Sequence, residues 1–182
     1  MDFKYQIIEN FIEDDFIDFI QDYYSMKINS KSYTIEENKF TYGYSFYSDP
    51  LMETILQNSC ESLSSIVGEN LLPTYSYVNF HMNGDAYNHK RNNSSEVSAL
   101  LCLGSSDDSN LGPVNFTKGK MIQEEIHLKK GDLFLYNNLN SSCERNPLET
   151  DWLLEANLNF VLFGGDNEEF IYDKRQYLGF PK

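Results

Sequence analysis

Basic residues are scarce in this chain: 14 Lys and Arg stand against 28 Asp and Glu among 182 residues, a formal net charge of −14. Binding to a phosphate backbone draws its affinity from basic side chains, so nucleic acid is not expected as a direct partner. Cysteine is scarce too. Cys60, Cys102 and Cys143 are odd in number, widely spaced and free of any C-x-x-C pair, which argues against a disulfide framework or a zinc site and for a reducing compartment. No stretch approaches the ~18 consecutive apolar residues of a membrane span. The opening MDFKYQIIEN has no basic segment followed by an apolar run, so neither a secretory signal nor a membrane location is expected, and the cytoplasm is the default. Pro and Gly, 5 and 10 in number, occur singly as turn punctuation, and no repeat or low-complexity linker divides the chain.

What is present is apolar and aromatic. At 41% hydrophobic and 15% aromatic residues, the chain can bury the core of one domain. Residues 4–8 read as a short strand. Phe16, Ile17, Phe19, Ile20, Tyr23 and Tyr24 then recur at helical spacing behind the acidic start Glu13-Asp14-Asp15, predicting an amphipathic helix on a core. Alternation of Phe40, Tyr42, Tyr44 and Phe46 predicts a strand in the tyrosine-rich stretch 33–47, whose tyrosines read as strand packing rather than a ligand cage. Asp49-Pro50 opens a second helix, with Leu51, Ile55, Leu63, Ile66 and Val67 on its buried face and Gly68 as its stop. From residue 72 the pattern changes to strands over 75–80, 97–103, 113–116, 121–128, 133–136 and 154–163, separated by turn residues such as Asn83-Gly84 and Gly131-Asp132. Two helices followed by short antiparallel strands predict an α+β fold with a jelly-roll core. The expected division is a domain over 1–165, helical to 70 and β from 71, then an aromatic tail over 166–182 that packs back on the domain or meets a partner.

Tyr77-Val78-Asn79, Gly84-Asp85, His89-Lys90-Arg91 and Ser98-Ala99-Leu100 are followed by Gly131-Asp132-Leu133-Phe134-Leu135-Tyr136, Cys143-Glu144-Arg145-Asn146-Pro147 and the run 153–160. This series resembles the core of the 2-oxoglutarate/Fe(II)-dependent oxygenases of prolyl-hydroxylase type. The resemblance implies a double-stranded β-helix behind two N-terminal helices. It also implies where iron and cosubstrate would be held: iron by H-x-D and a distal histidine on one face, the far carboxylate of 2-oxoglutarate by an arginine. Against that pattern His89 matches the first ligand and Arg91 stands where the carboxylate belongs. Cys143 stands at the distal histidine and Leu153 at the arginine. Arginine offers only donors and repels a cation, and leucine cannot replace a bidentate guanidinium. His89 and Cys143 are therefore carried as vestigial metal positions, and Arg91 and Leu153 as degenerate ones.

Each residue has alternatives. His89 reads as a hydrogen-bonded barrel histidine or as a ligand. Arg91 is a surface charge or a filler of the old iron site paired with Glu144 or Glu155. Cys143 is a small buried hydrophobe, a thiolate ligand or a nucleophile lacking an identified base. His81 or Asp85 with His89 and Cys143 could build a rearranged metal site only if the turn at Asn83-Gly84 shortens the span of about 13 Å between residues four apart on a strand. His127 reads as surface-facing. Two functions compete. One is a non-catalytic binding or assembly module with no catalytic residue and no cofactor. Its partner would be a protein or a second copy, in the host cytoplasm or in a virion, given the similarity to oxygenase-like proteins of marine phages. The other is an active dioxygenase using Fe(II) and 2-oxoglutarate through an atypical ligand set.

Overall fold

The computed structural model describes residues 3–32, 43–89, 94–118, 121–139 and 141–179. Strand β1 (Tyr5–Ile8) leads into helix α1 (Asp14–Asn29), whose first-turn Asp14 and Asp15 sit beside the positive end of the helix dipole. Only Ile17, Ile20 and Tyr24 of the six expected core residues are fully buried, while Phe16 and Phe19 are 42% and 55% exposed. At 3.6 residues per turn those six positions fan over roughly 160°, wider than one contact face. Tyr44 and Phe46 lie in β2 (Tyr44–Tyr47), whereas Phe40 and Tyr42 of the expected strand lie outside the described residues.

Helix α2 (Pro50–Val67) starts and stops as its sequence predicts. The Asp49 carboxylate accepts from the Leu51 amide at 3.0 Å, Pro50 occupies the first turn, and Gly68 ends the helix at φ +77°. Its buried seam is displaced from the expected one. Met52, Leu56, Ser59 and Leu63 are buried, and Leu51, Ile55, Ile66 and Val67 only flank them, because the buried face also carries Glu53 inward to meet Arg175.

The remaining strands are β3 (Leu71–Met82), β4 (Tyr87–His89), β5 (Val97–Ser105), β6 (Val114–Lys118), β7 (Met121–Ile126), β8 (Leu133–Asn137), β9 (Ser141–Arg145) and β10 (Trp152–Leu162). Among the described residues they form a six-stranded sheet, β1-β8-β5-β10-β3-β2, and a four-stranded sheet, β4-β9-β6-β7, with every pairing antiparallel. The larger sheet packs one face on the helices through Val78, Ala99, Leu101, Leu135, Leu154, Ala156, Leu158 and Phe160. Its other face meets the smaller sheet around Leu100, Cys102, Phe116, Phe134, Tyr136, Cys143 and Leu153. The result is the helix-backed double-stranded β-helix expected. β4 and β9 went unpredicted because YNH and SSCER are short and polar and carry no apolar alternation.

Two matching Gly-Asp turns recur among the strands. Gly84 and Gly131 adopt φ +85° and +89°, and the aspartate after each folds back onto the amide three residues earlier. Asp85 Oδ2 accepts from Met82 at 2.9 Å and Asp132 Oδ2 from Lys129 at 2.9 Å. A side chain at position 131 would lie 2.8 Å from the Ile12 carbonyl, so glycine is required there for space as well as for φ. The two Gly-Asp pairs of the sequence pattern thus have a turn-building role of their own.

The segment after β10 is no free tail. A 3-10 element (Glu168–Lys174) ends at Arg175, whose guanidinium donates to Glu53 at 2.6 and 3.2 Å and to the Thr74 carbonyl at 3.1 Å. The Tyr47 hydroxyl bonds Asp173, and the Gly179 amide also bonds Glu53. With Arg175 and Glu53 side chains 3% and 1% exposed, the segment packs back on α2 and β3. Among the described residues no helix is long and apolar enough to cross a membrane.

Candidate functional site

Strand alternation decides which side chains enter the barrel. In β9, Ser141, Cys143 and Arg145 are buried while Ser142 and Glu144 are half-exposed, so Cys143 and Arg145 share the inward face. β10 runs between β3 and β5, with Leu153 opposite His81 and Glu155 opposite both Asn79 and Cys102. Leu153, Glu155, Asn157 and Asn159 form the face of β10 turned away from the helices.

Three of these inward side chains meet. Glu155, fully buried, accepts from Arg145 Nε through Oε2 at 2.9 Å and lies 3.1 Å from His81 Nε2 through Oε1. Arg145 Nη1 donates to the Leu111 and Gly112 carbonyls at 3.0 and 2.9 Å. Burial alone would raise the Glu155 pKa, but the Arg145 charge and the His81 contacts outweigh it and hold the carboxyl well below the ordinary range. Buried charge is tolerated only when paired and hydrogen-bonded, and here both carboxylate oxygens are engaged. A cavity of about 130 Å³ opens beside this group, lined among others by His81, Asp85, Leu111, Arg145, Pro147 and Leu153.

The predicted site residues fall around this network. The backbone of His89 is in register with Cys143 across β4 and β9, so the two vestigial metal positions are strand neighbours. Cys143 is buried, and burial pushes its thiol up to about 12, with a Tyr136 hydrogen bond and the Arg145 charge pulling partly the other way. Leu153 is fully buried and lines the cavity with carbon only. Arg91 lies outside the described residues. Among the described residues the cation that pairs with Glu155 is Arg145. His81, offered for a rearranged metal site, is held by Glu155, and the Asp85 carboxylate is turned back on the Met82 amide. Among the described residues no three of His, Cys, Asp and Glu converge on one point. His127 is exposed just beyond β7.

No family model and no curated protein sequence matches the chain. Solved structures do. A Pseudomonas putida prolyl-4-hydroxylase superposes with a TM-score of 0.70 at 13% identity, covering 88% of this chain and 93% of that one. A prolyl hydroxylase from Trichoplax adhaerens, solved with a hypoxia-inducible-factor peptide, gives 0.69 at 15% identity over 88% and 84% of the two chains. The viral collagen prolyl hydroxylase of Paramecium Bursaria Chlorella virus-1, solved with 2-oxoglutarate, gives 0.61 at 15% over 86% and 95%.

The chain has the fold of the 2-oxoglutarate/Fe(II)-dependent oxygenases. Within that oxygenase fold the Arg145–Glu155–His81 group escaped the sequence reading, although one signal for it was present. Glu155 is the lone charge in the strand WLLEANLNFVL, and a charge on a strand buried on both faces requires a partner. Which cation supplies it depends on β9, a strand the apolar pattern did not reveal.

Proposed function

We propose that this protein is a non-catalytic binding or assembly module that keeps an oxygenase barrel as its scaffold. The observation that carries the reading is the commitment of Glu155, through both oxygens, to Arg145 and His81 inside the barrel. The described donors do not fit iron and 2-oxoglutarate. Leu153 has no donor to offer a carboxylate, and a guanidinium, which repels a cation, stands on the inward face of the strand that would carry the distal ligand. Fold does not fix activity, and a barrel braced by its own ion pair remains a stable platform. An acidic, tyrosine-rich chain suits a protein partner, where aromatic anchors contribute much of the binding energy.

The test is metal and turnover. Purified protein given Fe(II) anaerobically and then 2-oxoglutarate and oxygen is expected to retain no stoichiometric iron and to release no succinate. One iron per chain together with catalytic succinate overturns the proposal. It would establish the second reading, a dioxygenase with an atypical ligand set, which the shared fold favours.

A further inference from the structure

We infer that the solvent face of α1 is a docking surface for a basic amphipathic helix of a partner protein. Phe16, Phe19 and Met26 lie three and seven residues apart, which aligns them in one stripe along the helix, with half-buried Tyr23 at its edge packing on the core. They lie away from the buried row of Ile17, Ile20 and Tyr24. Phe16 and Phe19 are exposed, Met26 is 72% exposed, and the two phenyl rings stack on each other with centroids 6.0 Å apart. Two adjacent exposed phenylalanines and a methionine on one helix exceed the scattered apolar residues of an ordinary surface.

Charge selects the occupant. Asp15, Asp18 and Asp22, all exposed, run along one flank of the stripe at the same helical spacing, with Asp14 beyond them. Lys130 pairs with Asp18 at 2.6 Å, and Asp15 and Asp22 remain exposed. A second copy of this chain would bring two such acidic rows together and oppose its own net charge of −14. A helix with an apolar face bordered by Lys or Arg satisfies both rows at once, apolar against Phe16, Phe19 and Met26, and basic against the aspartates. This surface rests on the binding-module reading and supplies its partner chemistry.

The experiment titrates labelled full-length protein with a synthetic peptide of roughly 18 leucines and lysines, leucines on one helical face, long enough to form a helix on contact. The glutamate version of the peptide is the control. Saturable one-to-one binding of the lysine peptide alone is expected, with affinity falling at least about tenfold in Phe16→Ser/Phe19→Ser and in Asp15→Lys/Asp22→Lys. Because these positions are exposed, unchanged melting temperatures should show that the variants fold. Equal binding by wild type and Phe16→Ser/Phe19→Ser, no binding at all, or a concentration-dependent dimer dissolved by the phenylalanine substitutions would each overturn the proposal. Failure here with no iron and no succinate in the turnover assay discards the surface and leaves the module reading intact. Catalytic succinate discards the module reading instead.

Discussion

The two faces of β10 lie back to back on one strand, both are buried, and they hold opposite chemistry. Toward the helices stand Leu154, Ala156, Leu158 and Phe160, and toward the smaller sheet stand Leu153, Glu155, Asn157 and Asn159. The helix side is a packed apolar layer that stabilises through area removed from water. The barrel side holds a charged group and amides that must each find a partner, such as Asn159, which accepts from Ser98 Oγ at 2.8 Å and lies within a hydrogen bond of the Tyr75 carbonyl. Burial therefore does not separate core from site in this fold. Polarity under burial does, and it marks the inside of the barrel as the place whose chemistry differs from simple packing.

Arg145→Ala should break this contrast most severely, because it leaves the Glu155 carboxylate buried without its guanidinium partner. A loss of about 3–5 kcal/mol in urea unfolding is expected. Replacing both partners with apolar residues, Arg145→Met with Glu155→Leu, should recover most of that loss, since two charges then no longer need desolvation. On the opposite face Leu158→Ala should cost about 2–5 kcal/mol by the same measurement, through lost transfer energy and an unfilled cavity. If Arg145→Ala proves milder than Leu158→Ala, the barrel interior is wetter and less committed than its geometry indicates.

The pH dependence sharpens the comparison further. The folded-state pKa of Glu155 is depressed, so its contribution is present above the ordinary carboxylate value and is lost as pH falls through the folded value. Wild-type stability should therefore decline between pH 4.5 and about 2 by a component that is missing in Glu155→Gln, while Leu158→Ala keeps that component. The smallest effect belongs to a position outside both layers. Gly68→Ala puts a side chain on the left-handed residue that ends α2 and should cost about 1 kcal/mol in thermal melts, with no change in acid sensitivity.

Local signals made much of the fold legible. Asp49-Pro50 and Gly68 announced α2, and the Gly-Asp turns and apolar runs announced β3, β5, β8 and β10, because caps, turns and alternation act within a few residues of themselves. α1 was legible as a helix but not in its orientation. Its apolar arc is broader than any face it can bury, and only packing chose Ile17, Ile20 and Tyr24 over Phe16 and Phe19. The candidate site was legible in part. Cys143 and Leu153 were singled out and lie at the barrel interior, but Arg145 was passed over because SSCER does not read as a strand and its inward face was therefore unknown.

By itself, then, the sequence determined the architecture and the side-chain types available at Leu153 and Cys143, since side-chain chemistry belongs to the residue wherever it is placed. Tertiary structure alone decided that Glu155 belongs to Arg145 and His81 and that Arg175 closes on Glu53. Such pairs join residues 10 to 122 positions apart, and their existence depends on strand register and packing geometry. No local pattern encodes that information.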